Sequence, residues 1–309
     1  MFNLILPAIV SFILGIILIP YLIRFSEKNH SFVDIAKGDE LKIHKKPISL
    51  FGGLGMFVSM VFGVALLFDP SATTVILGAL PVFILGYWDD FKWKHVTTIR
   101  PLFKFFLLIV SCLASALILL FFGISFNFIP ISIIPLFFSF CMIFILINAV
   151  NYQDGIDGLA GSLVFISILG FSVVGFFIQS EFILTISLIS LASIAAFLIF
   201  NLFPAKIFMG DSGAYALGFL LSAIAITIVK PYNLLTIFGI IFIIGLPLFD
   251  GVFTNVRRIM SGKSIFLGDR SHFYDKLMKG GFSVWKTLFI CCFIQIFSVI
   301  IGIFLLIYA

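Results

Sequence analysis

Charge is what this 309-residue chain has least of: 11% of its residues are charged, while 62% are hydrophobic and 42 are phenylalanine. A water-soluble domain cannot bury that much apolar surface, so the solvent for most of the chain is lipid. Cysteine is scarce as well. Cys112, Cys141, Cys291 and Cys292 all sit inside apolar runs without motif spacing, so neither a disulfide framework nor a zinc site is suggested. The opening "MFNLILPAIVSFILGIILIPYLIRF" lacks a basic leader and a small-residue cleavage site, so it reads as a retained first span. Internal repeats are absent, and no stretch has the composition of a separate soluble domain. One polytopic membrane domain over 1–309 is expected. The net charge of +5 invites nucleic acid, but basic loops facing an anionic leaflet account for it, and no nucleic-acid partner is expected.

What is present is a succession of apolar runs. At about 20 residues per crossing, they predict an all-α integral membrane protein of about ten transmembrane helices. The spans fall at roughly 2–24, 48–68, 73–88, 102–123, 131–150, 159–178, 182–203, 213–229, 234–255 and 285–308, the third and eighth being short. With that count, 18 of the 19 basic residues fall in alternate loops, Lys230 being the exception. The positive-inside rule puts those loops in the cytoplasm and both termini outside. Acidic residues are not forced to one side by that rule, yet twelve of the fourteen share the basic face, Asp69 and Glu181 excepted. The chemistry is therefore expected on the cytoplasmic face of the cytoplasmic (inner) membrane.

Four clusters lie on that face. In "YWDDFKWKHVTTIR", Asp89 and Asp90 end the third span; adjacent carboxylates at a membrane boundary need a compensating cation, for which Lys92, Lys94 and Arg100 are candidates. In "NAVNYQDGIDGLAGS", Asn148, Asn151, Asp154 and Asp157 recur every three residues, the spacing at which helical neighbours meet. Carboxylate and amide oxygens are hard ligands of the kind Mg²⁺ takes together with substrate phosphates. A helix-capping turn is the plainer reading of any single Asp there. In "NLFPAKIFMGDSGAYALG", Asp211 opens a span, where Asp is ordinarily an N-cap and where phosphate can also bind. The last loop carries Arg257, Arg258, Lys263, Arg270 and His272, either a diphosphate cradle or a basic anchor for lipid headgroups. Carboxylates for a metal, cations for phosphate and a lipid setting together suit phosphoryl transfer.

The chain resembles the polyprenyl-phosphate N-acetylhexosamine-1-phosphate transferases, glycosyltransferase family 4, through "KIHKKPISLFGGLG", "GYWDD", "NAVNYQDGIDGLAG", "FPAKIFMGDSGA" and "GDRSHFYDKLMKGGFS", in order. It is closer to the undecaprenyl-phosphate GlcNAc-1-phosphate transferases than to the phospho-N-acetylmuramoyl-pentapeptide transferase. The resemblance implies transfer of a sugar 1-phosphate, GlcNAc-1-phosphate or another HexNAc-1-phosphate, from a UDP-N-acetylhexosamine to polyprenyl (undecaprenyl) phosphate, with release of UMP. It implies Mg²⁺, with Mn²⁺ an alternative, and membrane lipids as surroundings; a homodimer is compatible with it. By motif, Asp89, Asp90, Asp154, Asp157 and His272 are the catalytic set. The resemblance implies Asp211 and Asn151 as the metal ligands. Asn148, Asn151, Phe208, Arg270, Lys46 and Lys104 bind cofactor and nucleotide, with Phe208 stacking on uracil. The chain departs from the family in the last loop, where His272-Phe273-Tyr274-Asp275 stands in place of His-x-His-His. The segment from Gly268 to Gly281 is therefore expected to help choose the sugar. UDP-MurNAc-pentapeptide is the disfavoured donor, and a UDP-deoxyaminosugar is an alternative. Among other classes, a secondary transporter would place its charges at the bilayer midplane, where Asp250 comes nearest to doing so, and a lipid-binding scaffold has no need of five aspartates on one side.

Overall fold

The structure, a computed structural model, describes residues 2–29, 32–34, 47–93, 101–126, 133–229, 233–262 and 271–309. Lys46 and Arg270, and with them Lys94, Arg100 and Lys263, lie outside the described residues.

The chain is an all-α membrane protein. Its long helices are α1 (Phe2–Asn29), α3 (Pro70–Trp88), α4 (Pro101–Phe121), α5 (Ile133–Gln153), α6 (Leu159–Phe177), α7 (Glu181–Asn201), α8 (Gly210–Ile228) and α12 (Val284–Ile307). These eight are long and apolar enough to cross a membrane. Local sequence sets several of their starts. Asp69 accepts from the Ala72 amide at 2.8 Å with Pro70 in the first turn, and Ser180 and Ser283 cap α7 and α12 in the same way.

Two of the expected spans take another form. Residues 48–68 do not make one long helix. Ile48–Ser49 (β2) pairs antiparallel with Val33–Asp34 (β1), and α2 (Gly52–Ala65) is only 14 residues long. That helix extends about 21 Å, short of a hydrocarbon core about 30 Å thick. The reason is that residues 49–53 bond instead to the segment before α8. The Phe208 amide donates to Ser49 O at 2.8 Å, and the Gly52 and Gly53 amides donate to Phe208 O and Met209 O.

The ninth expected span breaks at Gly245 into α9 (Leu234–Ile244) and α10 (Leu246–Met260), bent by 89°. Gly245 has φ +59°, which L side chains rarely adopt. A break inside lipid frees backbone groups that water cannot reach. Gln295 of α12, wholly buried, supplies their partners. Its Oε1 accepts from the Leu246 amide at 2.8 Å, and its Nε2 donates to Ile243 O and Ile244 O at 3.0 and 3.2 Å. Ser298 Oγ donates to Phe242 O at 2.6 Å.

α8 is the axis of the bundle, almost entirely buried and packed on α2, α3 and α5. Its first turn meets the C-terminal ends of α3 and α5, so the polar residues that end or begin spans converge at one end of the bundle.

Candidate active site

α3 runs into a π-helical turn, Asp89–Trp93. The changed winding sends the two adjacent aspartates to different partners. Asp90, 1% exposed, points at the start of α8: its Oδ1 accepts from the Asp211 amide at 3.0 Å, and its Oδ2 accepts from the Ser212 amide at 3.0 Å and Ser212 Oγ at 2.9 Å. A helix start leaves amides without intrahelical partners and carries partial positive charge. Here a carboxylate from another helix supplies the cap. The cap residue proper, Met209, offers no side-chain bond, so Asp211 is not the N-cap. Gly210 permits the approach, with φ +65° and a space where a Cβ would lie 2.4 Å from Asp90 Oδ2.

Asp89 faces the other way. It pairs with Lys104 at the start of α4, and its carboxyl lies beside that of Asp211. Lys104 is thus the compensating cation; Lys92 instead stands 4.4 Å over the Trp88 ring. Asn151, in the last turn of α5, donates Nδ2 to Asp211 Oδ1 at 2.9 Å. Among the described residues, no group of three or more His, Cys, Asp and Glu converges as a metal site. The carboxylates of Asp89 and Asp211 and the Asn151 amide oxygen are a smaller set of hard donors. That set fits an Mg²⁺ that draws the rest of its shell from water and substrate phosphate.

The in-phase face expected for Asn148, Asn151, Asp154 and Asp157 does not form, because α5 ends at Gln153. Asn148 Nδ2 donates to Phe144 O of its own helix at 2.7 Å and lines a membrane groove. Asp154 begins the turn beyond Gln153, its amide donating to Asn151 O at 3.2 Å. Asp157 Oδ2 accepts from the Ala205 amide at 2.8 Å, and Asn201 takes the Gly158 amide and donates to Ile207 O. Asp157 and Asn201 thereby fasten the α5–α6 loop to the segment that leads into α8. Phe208 sits half-buried in that segment, three residues before Asp211.

A second cluster surrounds His272, which begins α11 (Phe273–Lys279). His272 Nδ1 lies 2.8 Å from Asp250 Oδ2 on α10, with Thr254 Oγ1 at 3.4 Å. Asp250 also accepts from the Phe273 amide at 2.8 Å and from Gln153 Nε2 at 2.9 Å. The ring stands between Tyr152 and Tyr274, at centroid distances of 5.2 and 5.7 Å. Tyr274 and Asp275 are buried, 6% and 5% exposed. Asp275 Oδ2 accepts from the His272 amide at 3.2 Å, and Tyr274 Oη occupies the space a Cβ on Gly155 would take. Both side chains are committed to the turn that carries His272. Arg257 bonds Ser271 O and Oγ, and Arg258 lies buried 6.0 Å from the Tyr152 ring. Arg257 thus holds the turn that begins α11.

Asn151, Tyr152 and Gln153, consecutive at the end of α5, thus reach Asp211, His272 and Asp250 in turn. Sequence reading assigned no role to Tyr152, Gln153, Thr254 or Asp250. The available signal was Asp250, an acid inside an apolar run that must have a partner. Beside this cluster, between α4, α5 and α10, lies a groove of about 350 Å³ lined by Asn148, Tyr152 and Asn255 at its polar positions and by Phe105, Phe144 and Leu248 among its apolar ones. Ile145 and Leu248 also line an apolar cavity of about 510 Å³ between α5 and α9.

Known proteins share this chain's pattern. It is 31% identical to a probable undecaprenyl-phosphate N-acetylglucosaminyl 1-phosphate transferase of Bacillus subtilis, over 92% of this chain and 79% of that protein. It is 32% identical to a phospho-N-acetylmuramoyl-pentapeptide-transferase of Rubrobacter xylanophilus (79% of this chain, 80% of that protein) and 33% to one of Dictyoglomus turgidum (81% and 83%). The profile of glycosyl transferase family 4 matches residues 72–229, the stretch that runs from α3 through α8 and holds Asp89, Asp90, Asn151 and Asp211. This chain belongs to glycosyl transferase family 4.

Proposed function

We propose that the protein transfers a HexNAc 1-phosphate from a UDP-sugar to a polyprenyl phosphate on the cytoplasmic face of the membrane. The observation that carries this reading is the Asp89–Asp211 contact, flanked by Lys104 and Asn151, at the end of a bundle whose side opens into an apolar groove. In the reaction, an oxygen of the lipid phosphate bonds to the β-phosphorus of the UDP-sugar. The bond from that phosphorus to the bridging oxygen breaks, and UMP leaves with the electron pair. The product is a polyprenyl diphosphate sugar.

Most of the catalysis in such a transfer comes from position and charge. Asp211, Asp89 and Asn151 would hold Mg²⁺, which when bound neutralises charge on the diphosphate. Lys104 holds Asp89 in place and offers positive charge next to the carboxylates. Asp90 sets the rotation of α8 and so aims Asp211. Phe208, half-buried before α8, is suited to a base, and His272 to the diphosphate or sugar. The groove that begins at Asn148 and Tyr152 and turns apolar suits an isoprenoid with its phosphate toward the carboxylates. The absence of a histidine run after His272 favours a HexNAc donor over UDP-MurNAc-pentapeptide.

The test uses purified protein, undecaprenyl phosphate and a panel of UDP-GlcNAc, UDP-GalNAc, a UDP-deoxyaminosugar and UDP-MurNAc-pentapeptide. UMP release coupled to a lipid-linked product is expected with a HexNAc donor. Asp211→Asn is expected to cut turnover by about 10²-fold or more while the protein stays folded. No product from any donor overturns the reading.

A further inference from the structure

Asp250 is a carboxylate in the apolar first part of α10, Leu246 to Phe253, and no step of the proposed transfer uses it. Its cost in such a setting is offset only by partners. The partners it has are all aimed at one side chain. Oδ2 meets His272 Nδ1 at 2.8 Å, Oδ1 takes the amide of the next residue, Phe273, at 2.8 Å, and Gln153 Nε2 holds Oδ2 at 2.9 Å. An ionised carboxylate only accepts hydrogen bonds, so all three donors suit it. The hydrogen bond at one ring nitrogen of a histidine decides which nitrogen does the work. With Nδ1 committed to Asp250, Nε2 is the nitrogen left over. Among the described residues, nothing bonds to it.

The ring is fixed in its other directions too. Tyr152 and Tyr274 flank its faces, the latter within 3° of parallel. Asp275 holds its backbone amide. Arg258 lies beyond Tyr152. Gln153 carries the constraint back to α5, two residues from the Asn151 that touches Asp211.

We propose that Asp250, itself oriented by Gln153, is a positioning residue that holds His272 by Nδ1 and leaves Nε2 for the donor, as an acceptor from a sugar hydroxyl or, when both ring nitrogens carry protons, as an N–H donor to the diphosphate. This rests on the reading of His272 as a donor ligand. Asp250 touches no substrate and acts through the histidine.

A double-mutant cycle on the full-length protein in detergent tests it, read as kcat/KM for the UDP-sugar, Kd for UDP by calorimetry, and KM for undecaprenyl phosphate. Asp250→Asn is expected to lower kcat/KM for the donor about 10- to 100-fold, the range typical of residues that orient a functional histidine, and to weaken UDP-sugar use without changing the lipid KM. In a His272→Gln background the same change is expected to have no further effect. Gln153→Leu, a milder change on the same path, is expected to show a smaller loss that also vanishes with His272→Gln, and it serves if Asp250→Asn does not fold. Losses that multiply in the double variants, or that fall equally on donor and lipid, show a general structural role and overturn the assignment while the functional reading stands. Wild-type protein that neither binds UDP nor turns over a UDP-sugar overturns the functional reading, and this assignment with it.

Discussion

The carboxylate of Asp90 caps the helix that carries Asp211, with the Asp211 and Ser212 amides each 3.0 Å from its oxygens. Its neighbour Asp89 makes no bond to those amides and instead meets Lys104 and the Asp211 side chain. Two aspartates adjacent in sequence thus have separate partners, one the start of a helix and the other a lysine and a second carboxylate.

Separate consequences are expected when each is removed. Asp90→Ala deletes a cap and leaves buried donors unmet, costing about 1–3 kcal/mol; the thermal midpoint in detergent falls, and activity falls with it. Asp89→Asn keeps the shape, and Lys104, with 35% of its side chain exposed, can turn to water. Its midpoint stays near that of the wild type while turnover is lost. Thermal unfolding paired with UMP release distinguishes them. A wild-type midpoint for Asp90→Ala would reject the cap.

Gln295 is expected to control the bend that presents α10. Gln295→Leu is close in size but leaves the Leu246 amide and the Ile243 and Ile244 carbonyls without their partner in a lipid-facing bundle. Buried polar groups of this kind cost about 1–3 kcal/mol each when unmet, less where the helices can relax. We expect a lower thermal midpoint and a loss of activity, because α10 carries Asp250 and Thr254 to His272. Full activity with an unchanged midpoint would show that the break holds itself.

Tyr274 and Asp275 stand where the family resemblance expects histidines, and both are buried against the His272 turn. Tyr274→His with Asp275→His removes the acceptor of the His272 amide and the ring that flanks the imidazole. A uniform fall in kcat/KM across UDP-HexNAc donors is expected, with their ratios preserved. A donor panel on both proteins decides it, and changed ratios would return these residues to sugar selection.

Topology is open to direct labelling. In a Cys-free background, cysteines placed at Ser71 and Ser261, both exposed, should react with an impermeant maleimide from opposite sides of the membrane, Ser261→Cys from the cytoplasm. Reaction of both from one side would break the orientation drawn from the basic loops.

Much of this was legible in one dimension. Hydropathy announces lipid as the solvent, and the placement of Asp at span ends anticipates the polar end of the bundle where α8 begins, because both are properties of residues taken in order. The five motifs, and the family they indicate, are local strings too. What the order of residues could not decide is direction. Whether Asp89 or Asp90 meets Asp211 depends on a π-turn of winding. Asp154 and Asp157 lost their shared face because α5 stops at Gln153. Lys92 was the nearer cation in sequence, yet the packing of α4 on α3 brings Lys104 to Asp89. Asp250 and Gln295 find partners many residues away, His272 and Gln153 for the one, the broken backbone at Gly245 for the other. A polar group in lipid must be satisfied by whatever helix lies beside it, and only the packing of the bundle determines which helix that is.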